Sequence, residues 1–332
     1  MKKILTLVSI FLLAIMLSAG CDRSPSSLEQ PGGTADSSKP ESKNAVKNPV
    51  VDLSVTRDFG CKVIFAQEVK YQEGATILDI LQAHLRVETA YGGSFVNAIN
   101  DLKSSSGAGD GTRLDWFYYI NGIACEVGVL DYDSRNAASI WWDYHPWQTG
   151  PANSAVIGSF PEPFRHGYRG KLKPMVLMSS PDDDQGRRAL RETMETYRVS
   201  RIITDKLEEE RLKNREGPTV VLGKWDALKK LKYLEDFNQA YQRNGSAIHF
   251  TDQGLDLLNY NGEVVKKLKG SAGVIIATGE GLGDDCPLWL ISGTDDKGWQ
   301  NALQILLEHP DKIKHLYGAA VVGEEVIPLP VQ

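Results

Sequence analysis

Seven consecutive residues, Trp141-Trp142-Asp143-Tyr144-His145-Pro146-Trp147, gather three tryptophans, a tyrosine and a histidine. One strand cannot bury that many rings on one face. Some of them must meet a planar ligand or another part of the chain. His145 could ligate a metal carried by such a ligand, or simply hydrogen-bond locally beside Pro146. Upstream, Trp116-Phe117-Tyr118-Tyr119-Ile120-Asn121-Gly122 adds further rings. A flat macrocycle needs apolar faces and a few amide partners. Tyr118, Tyr119, Trp141, Trp142, Tyr144 and Trp147 could supply the faces, and Asn121 and Asn97 the partners. Alternation along a strand sends roughly half of the rings into the core instead.

Two acidic turns are the next candidates. Asp182-Asp183-Asp184 and Asp295-Asp296 each follow an apolar run, at the strand ends where α/β proteins place ligands. Carboxylates there could hold a divalent cation, and a metal-dependent hydrolase would use Asp183 and Asp295. They also suit helix N-termini, which favour capping oxygens and negative charge. Capping explains both copies at once and is the preferred reading. Gly279-Glu280-Gly281-Leu282-Gly283 leads through two aspartates into another strand, not into a helix. A phosphate cradle needs the helix, so a hairpin turn is expected. With six histidines, any catalytic triad would be chosen and not found. The expectation is a binding protein, not an enzyme, with no covalent cofactor.

The cysteines divide by position. Lys2 and Lys3 precede an apolar run at 4–16, and Leu17-Ser18-Ala19-Gly20-Cys21 follows. That run suits a signal peptide and is short for a membrane span. The small residues before Cys21 match a bacterial lipobox, with the leucine one place further away than usual. Cys21 is therefore expected to carry lipid on the extracytoplasmic face of the cell membrane. Cys61 and Cys125 could pair outside the cell or remain buried thiols; Cys286 stands alone. No metal-binding spacing is present. Loss of the leader takes the formal charge from −6 to −8, which argues against nucleic acid as a partner.

These residues need a frame. Residues 1–20 read as the signal peptide. Residues 21–50, rich in Ser, Pro, Gly, Lys and Glu, read as a disordered tether. A coil of that length reaches on the order of 30 Å. Residues 51–149 read as an α+β domain: alternating strands near 51–55 and 63–65, a helix opened by the capping-box spacing of Thr76 and Asp79, a strand at 95–99, a strand into an Asn-Gly turn, and a last strand at 139–144. One helix on a mixed sheet of four or five strands is a β-grasp-like layout. Residues 150–170 form an ordered connector, because Phe160, Phe164 and Tyr168 need burial.

Residues 171–332 read as an α/β domain with an internal echo. Pro174-Met175-Val176-Leu177-Met178-Ser179-Ser180 and Pro287-Leu288-Trp289-Leu290-Ile291-Ser292-Gly293 are each followed by an acidic turn, a glycine and a helix. Residues 219–222, with a helical stretch at 226–243, make a third such unit, and 274–278 and 319–322 add strands. Strand–helix alternation predicts an α/β sheet.

The first domain resembles the transcobalamin-like C-terminal domain family, DUF4430, over about residues 51–147. The resemblance is carried, in order, by Gly74-Ala75-Thr76-Ile77-Leu78-Asp79-Ile80-Leu81, Phe95-Val96-Asn97-Ala98-Ile99-Asn100, Trp116-Phe117-Tyr118-Tyr119-Ile120-Asn121-Gly122 and Ile140-Trp141-Trp142-Asp143-Tyr144. It implies a β-grasp-like fold and a cobalamin or related corrinoid ligand, held near an uptake transporter. The chain departs from the family at Arg135-Asn136-Ala137-Ala138, where a Gly-Asp pair is usual, and its second domain is α/β and not a helical barrel. That second domain is only weakly similar to α/β modules of bacterial surface proteins. A surface module that docks a protein or a cell-wall polymer is the alternative.

Overall fold

The computed structural model describes residues 49–105, 112–147 and 153–332. Cys21, the leader and the tether up to residue 48 lie outside them; Val50, expected to end the tether, begins a strand instead. Strand β1 (Val50–Arg57) turns back antiparallel into β2 (Lys62–Lys70). Thr76 then starts helix α1 (Ile77–Gln82) with a complete capping box: its hydroxyl accepts from the Asp79 amide, and the Asp79 carboxylate accepts from the Thr76 amide. Two donors at the helix start are thus satisfied reciprocally. The helix ends sooner than its apolar spacing to Leu85 predicts, with a cap at Ala83.

Strands β3 (Val87–Ala90), β4 (Phe95–Ile99) and β5 (Leu102–Lys103) form a small antiparallel sheet. Strand β6 (Leu114–Ile120) runs through Asn121-Gly122 into β7 (Ile123–Ala124). Both turn residues have positive φ, 50° and 74°, as a two-residue hairpin of this kind requires. Strand β8 (Ser139–Pro146) completes a sheet of order β2-β1-β8-β6-β7, in which only the β1–β8 pair is parallel.

This sheet has two different faces. Leu53, Val55, Trp116, Ile120, Ile140 and Trp142 point into a core closed by Ile77, Ile80 and Leu81 of α1 and by Val96 and Ile99 of β4. The alternate residues of the same strands point the other way.

The second lobe is built on β9 (Met175–Ser179), followed by α2 (Asp184–Thr196), β10 (Ile202–Thr204), α3 (Glu209–Lys213) and β11 (Thr219–Lys224). Helices α4 (Trp225–Leu228) and α5 (Lys232–Gln239) come next. They stand where one helical stretch was expected, and they break at 229–231. Then come β12 (Ile248–Thr251), β13 (Gly254–Leu258) and β14 (Val264–Leu268), an antiparallel sheet that the helical reading did not anticipate. Strands β15 (Gly273–Thr278) and β16 (Leu288–Gly293), helix α6 (Asp296–Glu308), and β17 (Gly318–Val322) and β18 (Glu325–Leu329) finish the chain.

The main sheet has the order β10-β9-β11-β16-β15-β17-β18. Its first four strands are parallel and the remainder antiparallel. The two echoed units, β9–α2 and β16–α6, place both helices on one face, where Leu190, Met194, Trp299 and Leu303 pack on Leu177, Leu222 and Ile291. The three-stranded sheet covers the other face through Phe250, Leu255 and Leu257, with Trp225 and Leu234. The chain is thus mixed α/β, with several sheets and few helices. Among the described residues no helix is long and apolar enough to cross a membrane.

Candidate functional site

The strand register sorts the aromatic strip. Tyr118, Trp142 and Tyr144 belong with the core on the α1 side. Tyr118 stacks on Trp142 with ring centroids 4.8 Å apart. Tyr119 and Trp141 point to the opposite face, where they cluster with Phe59, Ala124, Val156 and Tyr317. Tyr317 belongs to the second lobe. Lys47–Gln332 form one compact unit, and this cluster is a seam within it.

The seam also has a polar centre. Asp143, with no exposed surface, accepts hydrogen bonds from the Thr56 hydroxyl, from the Phe59 amide (3.0 Å) and from the Gly60 amide (2.9 Å). His145 Nδ1 lies 2.7 Å from Asp143 and 3.3 Å from the Tyr317 hydroxyl. The imidazole is held between the Phe117 and Phe59 rings, with centroids at 4.1 and 4.2 Å. The Trp141 indole donates to Thr56, and Ser54 Oγ meets His315 Nε2 at 2.8 Å. Burial drives the Tyr119 and Tyr317 hydroxyls well above the ordinary tyrosine range, so both stay protonated.

The sequence-predicted ligand residues are therefore brought together only in part, and mostly not on a surface. Tyr119, Trp141 and His145 are sealed under the second lobe, and Trp142 lies in the core. Tyr118 and Tyr144 are half-buried against that core, with hydroxyls donating to the Val127 and Lys103 carbonyls. The Asn121 side chain donates to the Asn136 and Gly167 carbonyls and accepts from the Ala138 and Ser139 amides. All of its hydrogen-bonding capacity goes to backbone, which makes it a strut of the hairpin. Trp147 alone of the set is substantially exposed, at 47%, with Arg113 stacked over its ring. The planar ligand face expected from these residues is instead a lobe–lobe contact.

Two further expectations resolve in the same way. Cys61 and Cys125 are separate free thiols. Cys61 lies in the exposed β1–β2 turn, and Cys125 packs beside the α1-side core, where its sulfur meets the Tyr168 hydroxyl. Burial pushes the Cys125 thiol up to about 12. Of the two acidic turns, only the second caps its helix through a side chain; Asp183 stands at the start of α2 without a capping bond. Asp295 accepts from the Gly298 amide as the cap of α6, and Asp183 accepts from the Ser180 hydroxyl beside the start of α2. The glycine run 279–283 lies in the β15–β16 hairpin, the turn expected. Just beyond it, Asp284, Asp285 and Cys286 converge within 4.8 Å. The Lys173 ammonium already lies 2.7 Å from Asp285 and 3.0 Å from the Cys286 sulfur, in the place a metal would take.

Residues 74–146 match the DUF4430 family, a domain of unknown function. No curated protein matches the chain. The DUF4430 match runs from just before α1 to the end of β8. It contains Tyr119, Trp141 and His145 but not β1, whose Ser54 and Thr56 reach the same seam.

The surface at the junction of the lobes holds a cleft of about 290 Å³. Asp52 of β1 and Ser139 of β8 line it from the first lobe, Glu162, Arg165 and His166 from the connector, and Lys314 from the second lobe. Lys314 pairs with Asp52 at 3.1 Å, and buried Glu162 accepts from the His166 amide and meets its Nδ1. The Arg165 guanidinium has no partner among the described residues. Glu162, Arg165 and His166 lie within one short connector segment, but Asp52, Ser139 and Lys314 come from distant parts of the chain, so the set as a whole forms no sequence motif. The only signal was that Phe160, Phe164 and Tyr168 demand an ordered connector; Phe164 and Tyr168 are indeed buried.

The seam should respond to acid. Burial and the Lys314 charge hold the His315 imidazole below its ordinary 6.5, against the opposing pull of Asp52 and Asp143. The unfolded chain then binds a proton that the folded chain refuses. Stability is full above pH 6.5 and is lost as pH falls below it. His249 is lowered in the same sense by burial, so the test is a comparison. Denaturant midpoints measured downward from pH 7 should fall for the parent and fall less for His315→Gln. Parallel curves would rule the histidine out.

Proposed function

We propose that this chain is an extracytoplasmic ligand-binding protein, held at a membrane by lipid on Cys21, with its ligand seated in the cleft where the two lobes meet. The observation that carries the reading is the unpartnered, half-buried Arg165 guanidinium in that cleft, whose walls come from both lobes and the connector. A larger hollow of about 770 Å³ beside α4 and β12 is a weaker seat. Its Lys229 pairs with Asp226, and its Asn238 amide is bonded to the Phe250 backbone.

We read the five-stranded sheet with α1 as β-grasp-like, from its parallel β1–β8 pair and antiparallel flanks. We read the second lobe as strand–helix units with an antiparallel extension. A corrinoid, the ligand implied by resemblance, would need the rings now under Tyr317, so its binding would require the lobes to part. The lipid anchor would keep any captured ligand close to a transporter, at high effective concentration.

Thermal denaturation of the purified chain against cobalamin, amino acids, sugars and small organic acids tests the reading. A ligand that binds only the folded state raises the midpoint with concentration. The expected result is at least one such ligand, whose effect is lost in Arg165→Gln. If nothing stabilises the chain, the reading fails. If cobalamin does so equally in both proteins, the seat lies elsewhere.

A further inference from the structure

The charges in the junction cleft say what kind of molecule would fill it. Among the described residues the other half-buried arginines are all engaged. Arg57 meets Asp58, Arg187 meets Asp184, Arg191 meets the Ile202 carbonyl, and Arg215 meets the Cys286 carbonyl. Arg165 is half-buried and has no such partner. A guanidinium partly withdrawn from water without a carboxylate or carbonyl is an unmet demand, and its planar fork best fits a carboxylate.

A bare anion does not complete the site. Asp52, Glu162 and Asp311 all line the same cleft. Asp52 is paired with Lys314, and Glu162 is hydrogen-bonded to the His166 amide and ring. Asp311, exposed at the cleft rim on the turn Pro310–Ile313, has a carboxylate with no partner among the described residues. Arg165 and Asp311 do not pair with each other. Two unmatched charges of opposite sign thus face one small cavity.

We propose that the cleft binds a free amino acid, with its carboxylate on Arg165 and its ammonium on Asp311. Other classes fit less well. Phosphate or a polycarboxylate would satisfy Arg165 but would add repulsion from three carboxylates. A simple amine would leave the guanidinium unmatched. The volume, about 290 Å³, is at the small end of ligand cavities and suits a molecule of this size. Ser159 Oγ, 3.0 Å from Ser139 Oγ, supplies a neutral polar wall. The proposal deepens the reading of the chain as a binder and rests on it.

Calorimetry of the full chain tests it with L-alanine and L-glutamine as zwitterions, acetate and methylammonium as half-ligands, inorganic phosphate as a polyanion, and cobalamin. The expected result is saturable heat from an amino acid, at least tenfold weaker binding of either half-ligand, and at least a tenfold loss in Arg165→Gln and in Asp311→Asn. Arg165→Lys, which keeps the charge but not the fork, should recover part of the loss. Unchanged melting of these variants separates lost binding from lost folding. Acetate or phosphate binding as tightly as the amino acids would overturn the proposal, as would an amino acid that binds Arg165→Gln unchanged. Heat from cobalamin alone, abolished by Arg165→Gln, would refute the amino acid and leave the junction seat standing. Silence from every probe would count against both.

Discussion

Replacing Asp143 with alanine should cost about 3–5 kcal/mol, because it removes the acceptor of several buried donors at once, and lower the melting temperature by roughly 10 °C for a chain of this size. The side chain accepts from four groups, on β1, in the β1–β2 turn and on β8 itself. Alanine leaves the Phe59 and Gly60 amides without an acceptor in a place water does not reach. Each orphaned buried donor costs on the order of 1–3 kcal/mol. His145 and Thr56 lose their shorter bonds and keep the longer contacts to the Tyr317 hydroxyl and the Trp142 carbonyl.

Asparagine is the informative comparison. Its shape fits and its oxygen can keep one or two of the donors, but its amide nitrogen must then face another donor. It should fall between the parent and alanine. Hydrogen exchange at the Phe59 and Gly60 amides, protected in the parent, should accelerate in Asp143→Ala beyond what the global loss accounts for. A loss under 1 kcal/mol would mean that the seam is held by its rings and not by this carboxylate.

How much of this was legible beforehand depends on the range of the signal. The Thr76–Asp79 box and the Asn121-Gly122 turn were readable because their physics is complete within a few residues. The β9–α2 and β16–α6 echo was readable for the same reason: a buried strand, an acidic turn and an amphipathic helix each leave a local trace, although only Asp295 of the second unit caps its helix. The surplus of rings at 141–147 was also readable, and so was the inference that some must meet a partner. What covers them was not. Tyr317 and His315 stand about 170 residues away from that strip, in a segment with no distinguishing pattern. A ring that needs a ligand and a ring that needs another lobe look alike in sequence. The β12–β14 sheet was missed because its strands are only four or five residues long, although Asn244-Gly245 ends the helical stretch before them and Asn261-Gly262 marks the turn between β13 and β14.

Gly60→Ala should disrupt the seam more selectively than any side-chain deletion. Gly60 sits in the β1–β2 turn with φ of +83°, and a Cβ there would stand 1.7 Å from the His315 carbonyl oxygen and 3.1 Å from the Trp141 ring. The carbonyl cannot simply step back, because the His315 amide is bonded to the Gly158 carbonyl at 3.1 Å. Two costs therefore add: about 1–2 kcal/mol for an L-residue in the left-handed region, and about 1–3 kcal/mol for an overpacked contact that must open. Gly74→Ala separates them. Its φ is +86°, and nothing lies within 4 Å of the added methyl, so it should show the backbone cost alone. The excess in Gly60→Ala is then the resistance of the lobes to parting. If they part, Trp141, 1% exposed in the parent, meets water and its emission shifts to the red. The junction cleft has Gly158 and Lys314 in its walls, so ligand affinity there should fall in Gly60→Ala and hold in Gly74→Ala. Equal destabilisation of the two variants, with no spectral shift, would show that the turn yields without moving the second lobe. Cleft and seam would then be mechanically independent.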